Sequence, residues 1–137
     1  MRKNEIPALL EKNGIHPTPQ RVEIAATMLA HKQHLSADQV LADVRAKGAQ
    51  VSKATVYNTL GLLAETGLVR EVIVDPAKVF YDSNTERHYH FFNVDTGRLI
   101  DFDADLLAMT KLPPLPDGTI TDGIDVIVRV RRPENVK

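Results

Sequence analysis

His88 and His90 stand two apart in the run Glu86-Arg87-His88-Tyr89-His90-Phe91-Phe92-Asn93. Side chains two apart on a β-strand project from one face, so an extended run turns both imidazoles to one side and Tyr89 and Phe91 to the other. Imidazole is the commonest side-chain metal ligand, and two convergent nitrogens with carboxylates nearby suit iron, manganese or zinc. Asp101 is the carboxylate within range. If Thr96-Gly97 is a two-residue hairpin loop, Phe92 falls opposite Asp101 and the carboxylate lies diagonal to His90 on the histidine face. A three-residue loop slips the register by one and turns Asp101 away. The plainer reading of His-x-His on a strand, a solvated or hydrogen-bonded pair, stays open on these residues alone.

Such residues need a sheet to hold them, and a helical half precedes it. Residues 3–13 predict a short helix with Ile6, Leu9 and Leu10 as its apolar stripe, closed by Gly14. Thr18-Pro19 reads as N-cap and first-turn proline of a helix to about Ala30, with Ile24, Ala25, Met28 and Leu29 facing inward and Arg21 left free to reach a phosphate. Ser36-Ala37-Asp38-Gln39 is a capping box opening a helix to Lys47, and His34 lies two residues ahead of that cap. Ser52 caps a fourth helix over 53–66, where Val56, Leu60 and Leu63 form the core stripe and Ala54, Tyr57, Asn58 and Gly61 face outward. Two small and two polar residues on that side suit base edges or phosphates, as on a recognition helix in a major groove.

Residues 68–74, a turn at 75–78 and residues 79–82 predict a β-hairpin. Three helices followed at once by a hairpin is the winged helix-turn-helix order. The expected fold is therefore α+β: an N-terminal winged helix-turn-helix DNA-binding domain over 1–82, a polar hinge at 83–87, and a small α/β dimerisation and metal-sensing domain over 88–137. In that last part, residues 103–109 predict a short helix, which Pro113, Pro114 and Pro116 cannot continue. Alternation of Ile124, Val126, Val128 and Val130 within 119–132 predicts a strand that completes a sheet with the histidine hairpin. A sheet of about three strands is marginal alone, which points to a homodimer.

Composition removes several classes. Zero cysteines exclude disulfides, thiolate zinc sites and thiol redox sensing. A formal net charge of −1 argues against a nonspecifically basic nucleic-acid binder, so DNA affinity would depend on placed charges and dimerisation. No apolar run approaches the roughly 20 residues that span a bilayer, and the N-terminal run has no signal-peptide core, so the expectation is a cytoplasmic protein with no membrane partner.

Three runs carry a resemblance: residues 14–21 (Gly-Ile-His-Pro-Thr-Pro-Gln-Arg), residues 52–60 (Ser-Lys-Ala-Thr-Val-Tyr-Asn-Thr-Leu) and His88-Tyr89-His90. Together they resemble the ferric uptake regulator (Fur) family of metal-dependent DNA-binding regulators over essentially the whole chain, the second run being highly specific for the family's recognition helix. The C-terminal runs 111–118 and 124–131 look closest to the iron response regulator branch, with the peroxide-sensing branch the other near relative. By matching position, the resemblance implies a regulatory metal site of His34, Asp82, His88, His90 and Asp101, holding one divalent ion per subunit, iron or manganese with zinc a substitute in vitro. It implies a double-stranded DNA operator contacted by Arg21, Tyr57 and Asn58, with Lys53 and Thr55 near the phosphates.

The implied function is a metal-responsive, DNA-binding transcriptional regulator of iron homeostasis, a repressor and not an enzyme. The alternative is a peroxide-sensing repressor using metal-catalysed histidine oxidation, whose pattern Asp101 resembles. A small metalloenzyme on His88, His90 and Asp101 would need a general base beyond the ligands, and no such residue is evident. A winged-helix protein-interaction module with structural histidines is the remaining class. Asn93 and Thr96 stand where the family's first Cys-x-x-Cys pair would lie, which argues against structural zinc. Tyr89 occupies the middle of what is a His-His-His haem motif in the iron response branch, and so leaves haem as an open cofactor. His16 replaces a basic residue often seen before the second helix.

Overall fold

The computed structural model describes residues 1–107 and 112–134. The chain divides into two compact units, Met1–Thr85 and Glu86–Lys137.

In the first unit a 3-10 turn, Lys3–Glu5, leads into α1 (Ile6–Lys12), followed by α2 (Pro19–Leu29), β1 (His34–Leu35), α3 (Ala37–Ala46), α4 (Lys53–Glu65), β2 (Arg70–Asp75) and β3 (Lys78–Asp82). The caps act as their residue types dictate. Thr18 Oγ1 accepts from Arg21 N at 3.2 Å, and Ser36 and Gln39 bond reciprocally at 3.1 and 2.8 Å. Behind α3, Gly48 at φ +91° lets Ala49 N reach Val44 O at 3.1 Å, a left-handed helix stop. The expected first helix is split because Pro7 sits in the opening turn of α1 and lacks a backbone donor.

α2 packs on α3 and α4. Ile24, Met28, Val40, Val44, Val56 and Leu60 are each fully buried at 0% exposure and form the centre of the core. Burying each such side chain contributes roughly 1.5–3 kcal/mol. Ser52 Oγ accepts from Thr55 N at 3.1 Å and so starts α4. Ser52→Ala is expected to cost about 1 kcal/mol in urea denaturation, since Thr55 N–H then loses its side-chain acceptor.

The wing is a three-stranded sheet in the order β1-β3-β2 rather than a plain hairpin. β1 pairs antiparallel with β3, placing His34 opposite Asp82 and Leu35 opposite Tyr81. Ser83 extends the pairing: its N–H donates to Gln33 O at 2.9 Å, and its hydroxyl donates to His31 O at 2.9 Å.

The second unit holds β4 (His88–Asn93), β5 (Leu99–Asp103), a 3-10 turn at Ala104–Leu106 and β6 (Ile127–Val130). Its sheet runs β5-β4-β6, so the histidine strand is central, antiparallel to β5 and parallel to β6. Three expectations need correction. The hairpin loop is longer than Thr96-Gly97: Asn93 Oδ1 accepts from Asp95 N and Thr96 N at 2.9 and 3.1 Å, and Asn93 N donates to Arg98 O at 2.9 Å. Residues 94–97 therefore form the loop, and Phe92 faces Leu99 rather than Asp101. The register moves by two, which keeps Asp101 on the histidine face.

The strand expected over 119–132 is confined to Ile127–Val130. Ile127 pairs with His90, so residues 119–124 lie ahead of the start of β4 and have no ladder beside them. The short helix expected over 103–109 is a 3-10 turn with Asp103 as its cap, and residues 108–111 lie outside the described residues. Among the described residues no helix is long and apolar enough to cross a membrane.

Candidate functional site

β4 brings His88 and His90 to one face, 7% and 5% exposed, with ring centroids 4.6 Å apart at 73°. Asp101 stands directly opposite His90 on β5. Its Oδ1 lies 3.3 Å from His90 Nε2 and 3.8 Å from His88 Nε2. One ligand atom from each of the three falls within 4.8 Å of the others. A metal about 2.0–2.2 Å from nitrogen and oxygen donors separates adjacent donors by roughly 3–3.5 Å, so the trio nearly has the spacing of a coordination shell. His88 Nδ1 lies 2.6 Å from Glu86 O. A carbonyl only accepts, so Nδ1 carries the proton, and in the neutral ring Nε2 then keeps its lone pair for a ligand, the usual outer-shell support of a metal-binding histidine. Two imidazoles and a carboxylate are an intermediate-to-hard donor set.

The other face of β4 is an aromatic layer. Phe91 lies 4.7 Å from Phe102, and Tyr89, 4% exposed, meets Phe102 edge-on at 6.0 Å. Tyr89 is thus turned away from the histidines it separates in sequence.

In the first unit, β1 and β3 set His34 beside Asp82. Asp82 is 1% exposed, and its Oδ1 accepts from Asn84 N at 2.9 Å. His34 meets Phe80 edge-on at 6.2 Å. The signal for this pairing was the Gln33–Ser83 contact, which no local periodicity reveals.

α4 presents Tyr57, 45% exposed, with Asn58 and Lys53 also on the surface. Lys53 Nζ lies 5.7 Å over the Tyr57 ring and 3.6 Å from Asp38 Oδ1. Thr55 is half buried and its hydroxyl pairs with Ser52 Oγ at 2.9 Å, so it serves the cap. Arg21 is engaged rather than free: Nη1 donates to His16 O at 3.1 Å, which pins the loop ahead of α2 and leaves other guanidinium donors outward. Sequence reasoning missed Arg45, whose Nε and Nη2 donate to Val51 O at 3.3 and 3.1 Å and fasten the turn before α4.

Behind α4, the Tyr81 phenol is held above its ordinary value of 10.0 by burial first, then by Glu71 and by Tyr57. A raised folded-state value means that this group's contribution to stability is complete below pH 10.0 and is lost as pH rises through the folded value. In a phenolate-absorbance titration, a phase above pH 10.0 is expected, and Tyr81→Phe should remove it.

Residues 12–112 match the model of the Ferric uptake regulator family. The chain belongs to that family. Over 95 residues, 69% of the chain, it is 33% identical to the peroxide-responsive repressor PerR of Staphylococcus epidermidis, and the match spans 63% of that protein's length. Among solved structures it is similar to the ferric uptake regulator from Pseudomonas aeruginosa with manganese, at TM-score 0.70 and 26% identity over 96% of this chain and 98% of that one. It also shares the fold of the Campylobacter jejuni peroxide stress regulator, at TM-score 0.59 and 21% identity over 97% of each chain. Asn93 closes the hairpin loop through its amide oxygen, and Thr96 Oγ1 accepts from Arg98 N at 3.3 Å, so both side chains shape the turn between the two site strands.

Proposed function

We propose that this chain is a homodimeric, metal-responsive DNA-binding transcriptional repressor of iron homeostasis, acting in the cytoplasm and not as an enzyme. The observation that carries the reading is the convergence of His88, His90 and Asp101, with His88 held in the ligating tautomer by Glu86 O. His34 and Asp82 complete the proposed ligand set, for one iron or manganese ion per subunit. When bound, the ion supplies a positive centre shared by all five side chains. His34 and Asp82 belong to the wing sheet, and the other three to the β4–β5 hairpin. Holding one centre in common, they would restrain residues 83–87, the proposed hinge between domains 1–82 and 88–137. That restraint sets the separation of two α4 helices in a dimer against the spacing of DNA half-sites.

On α4, Tyr57 and Asn58 are the proposed base-edge contacts, with Lys53, Thr55 and Arg21 at the phosphates. The second unit supports dimerisation through an apolar row across its sheet: Ile100 and Val128 flank Phe91 in register and are 44% and 37% exposed. Gel-shift titration of operator DNA with and without ferrous or manganous ion tests the proposal. Retardation that rises with metal is expected, and equal affinity for every DNA in both states would overturn it.

A peroxide-sensing repressor is the second reading, favoured by the carboxylate set directly opposite His90 and by the resemblance to peroxide-responsive repressors. Mass spectrometry of the iron-loaded protein after peroxide exposure separates the two. One added oxygen on His34, His88 or His90 selects peroxide sensing, whereas unmodified histidines with DNA binding retained select iron status.

A further inference from the structure

We propose that Arg70 is the resident counter-ion of Asp82, and that it must yield this carboxylate when a divalent ion binds, so that Arg70 sets the affinity of the metal site. The inference rests on the reading of Asp82 as a ligand.

β3 is the middle strand of the wing, so Asp82 has a register partner on each side: His34 in β1 and Arg70 in β2. Directly opposed residues of antiparallel strands share a face, with Cβ atoms about 4.5–5.5 Å apart. Asp82 therefore has a histidine and an arginine as its two cross-strand neighbours. Asp82 is 1% exposed, and a charge so far from water persists through hydrogen bonds and opposite charge. Asn84 N–H provides one bond at 2.9 Å. Arg70, permanently cationic and without an acceptor, supplies the charge.

The two flanks of Asp82 differ in what they do toward a dication. His34 can offer it a lone pair, whereas Arg70 offers only donors and repels it. The cationic neighbour of Asp82 in the metal-free protein is then the group that opposes loading. Its strength fixes how much free metal is needed before the carboxylate changes partner.

The test is a Mn2+ titration of the full chain against a competing chelator, with thermal unfolding of the metal-free protein alongside. Arg70→Gln removes the charge and keeps a donor. It is expected to bind Mn2+ on the order of tenfold more tightly while lowering the metal-free melting temperature. Arg70→Lys keeps the charge and should stay near the wild-type affinity. In an Asp82→Asn background, Arg70→Gln should lose most of its effect. A purely structural role predicts weaker binding in Arg70→Gln, and equal or weaker binding overturns the proposal. If Asp82→Asn weakens Mn2+ binding while Arg70→Gln leaves it unchanged, the Arg70 inference alone fails. If Asp82→Asn binds as wild type, Asp82 leaves the ligand set and both readings of it fall.

Discussion

His90→Ala is expected to lower Mn2+ affinity by about 100-fold or more, while His31→Ala leaves it unchanged. Removing outer-shell partners of a metal ligand alone costs about 10–100-fold, so loss of a direct donor sets at least that scale. His90 Nε2 is the donor nearest Asp101, at 3.3 Å, and no other side chain on β4 can replace it, because Tyr89 and Phe91 face the aromatic layer. His31 is a fair control. It is exposed, and its backbone carbonyl, which accepts from Ser83 Oγ at 2.9 Å, is retained by alanine. Isothermal titration of both variants decides the matter, and equal affinities would remove His90 from the site.

The second large effect is on stability. Leu60→Ala should destabilise the first unit by about 2–5 kcal/mol, because Leu60 is 0% exposed among Val56, Leu63 and the α2 residues Ile24 and Met28, and the cavity left can collapse only partly. In urea the midpoint should fall with the slope unchanged. Operator binding of the kind proposed should fail at temperatures where the wild type still binds, since Val56, Leu60 and Leu63 seat α4 on the core. A loss below about 1 kcal/mol would mean that α4 is not anchored through Leu60.

The four helices and most of their ends could be read directly, because each is marked by local chemistry: Thr18-Pro19, the Ser36–Gln39 box, Ser52 and the glycines that follow. The histidine face was legible for the same reason, since strand alternation is local. What escaped depends on distant partners. β1 is two residues long and exists only because β3 lies beside it. The β4–β5 register was set by an Asn93 side chain folding back on Asp95 and Thr96, which a two-residue loop assumption omits. Alternation over 119–124 gave no ladder because β4 begins too late to pair with it. Arg21 was read as free to reach a phosphate and Arg45 was not singled out, yet each finds a carbonyl close in sequence but set by the fold.

The parallel pairing of β4 with β6 bears on the order in which the molecule assembles. The helices of the first unit precede β4 in the chain, whereas the second edge of β4 is covered only when residues 127–130 return to residues 90–93. Contacts of that separation close slowly, because the intervening chain must lose its freedom before the ladder rewards it. A newly made chain is thus expected to settle α4 before it completes the strand that carries His88 and His90. Every molecule would begin with its helical surface formed and its histidines still waiting for a sheet.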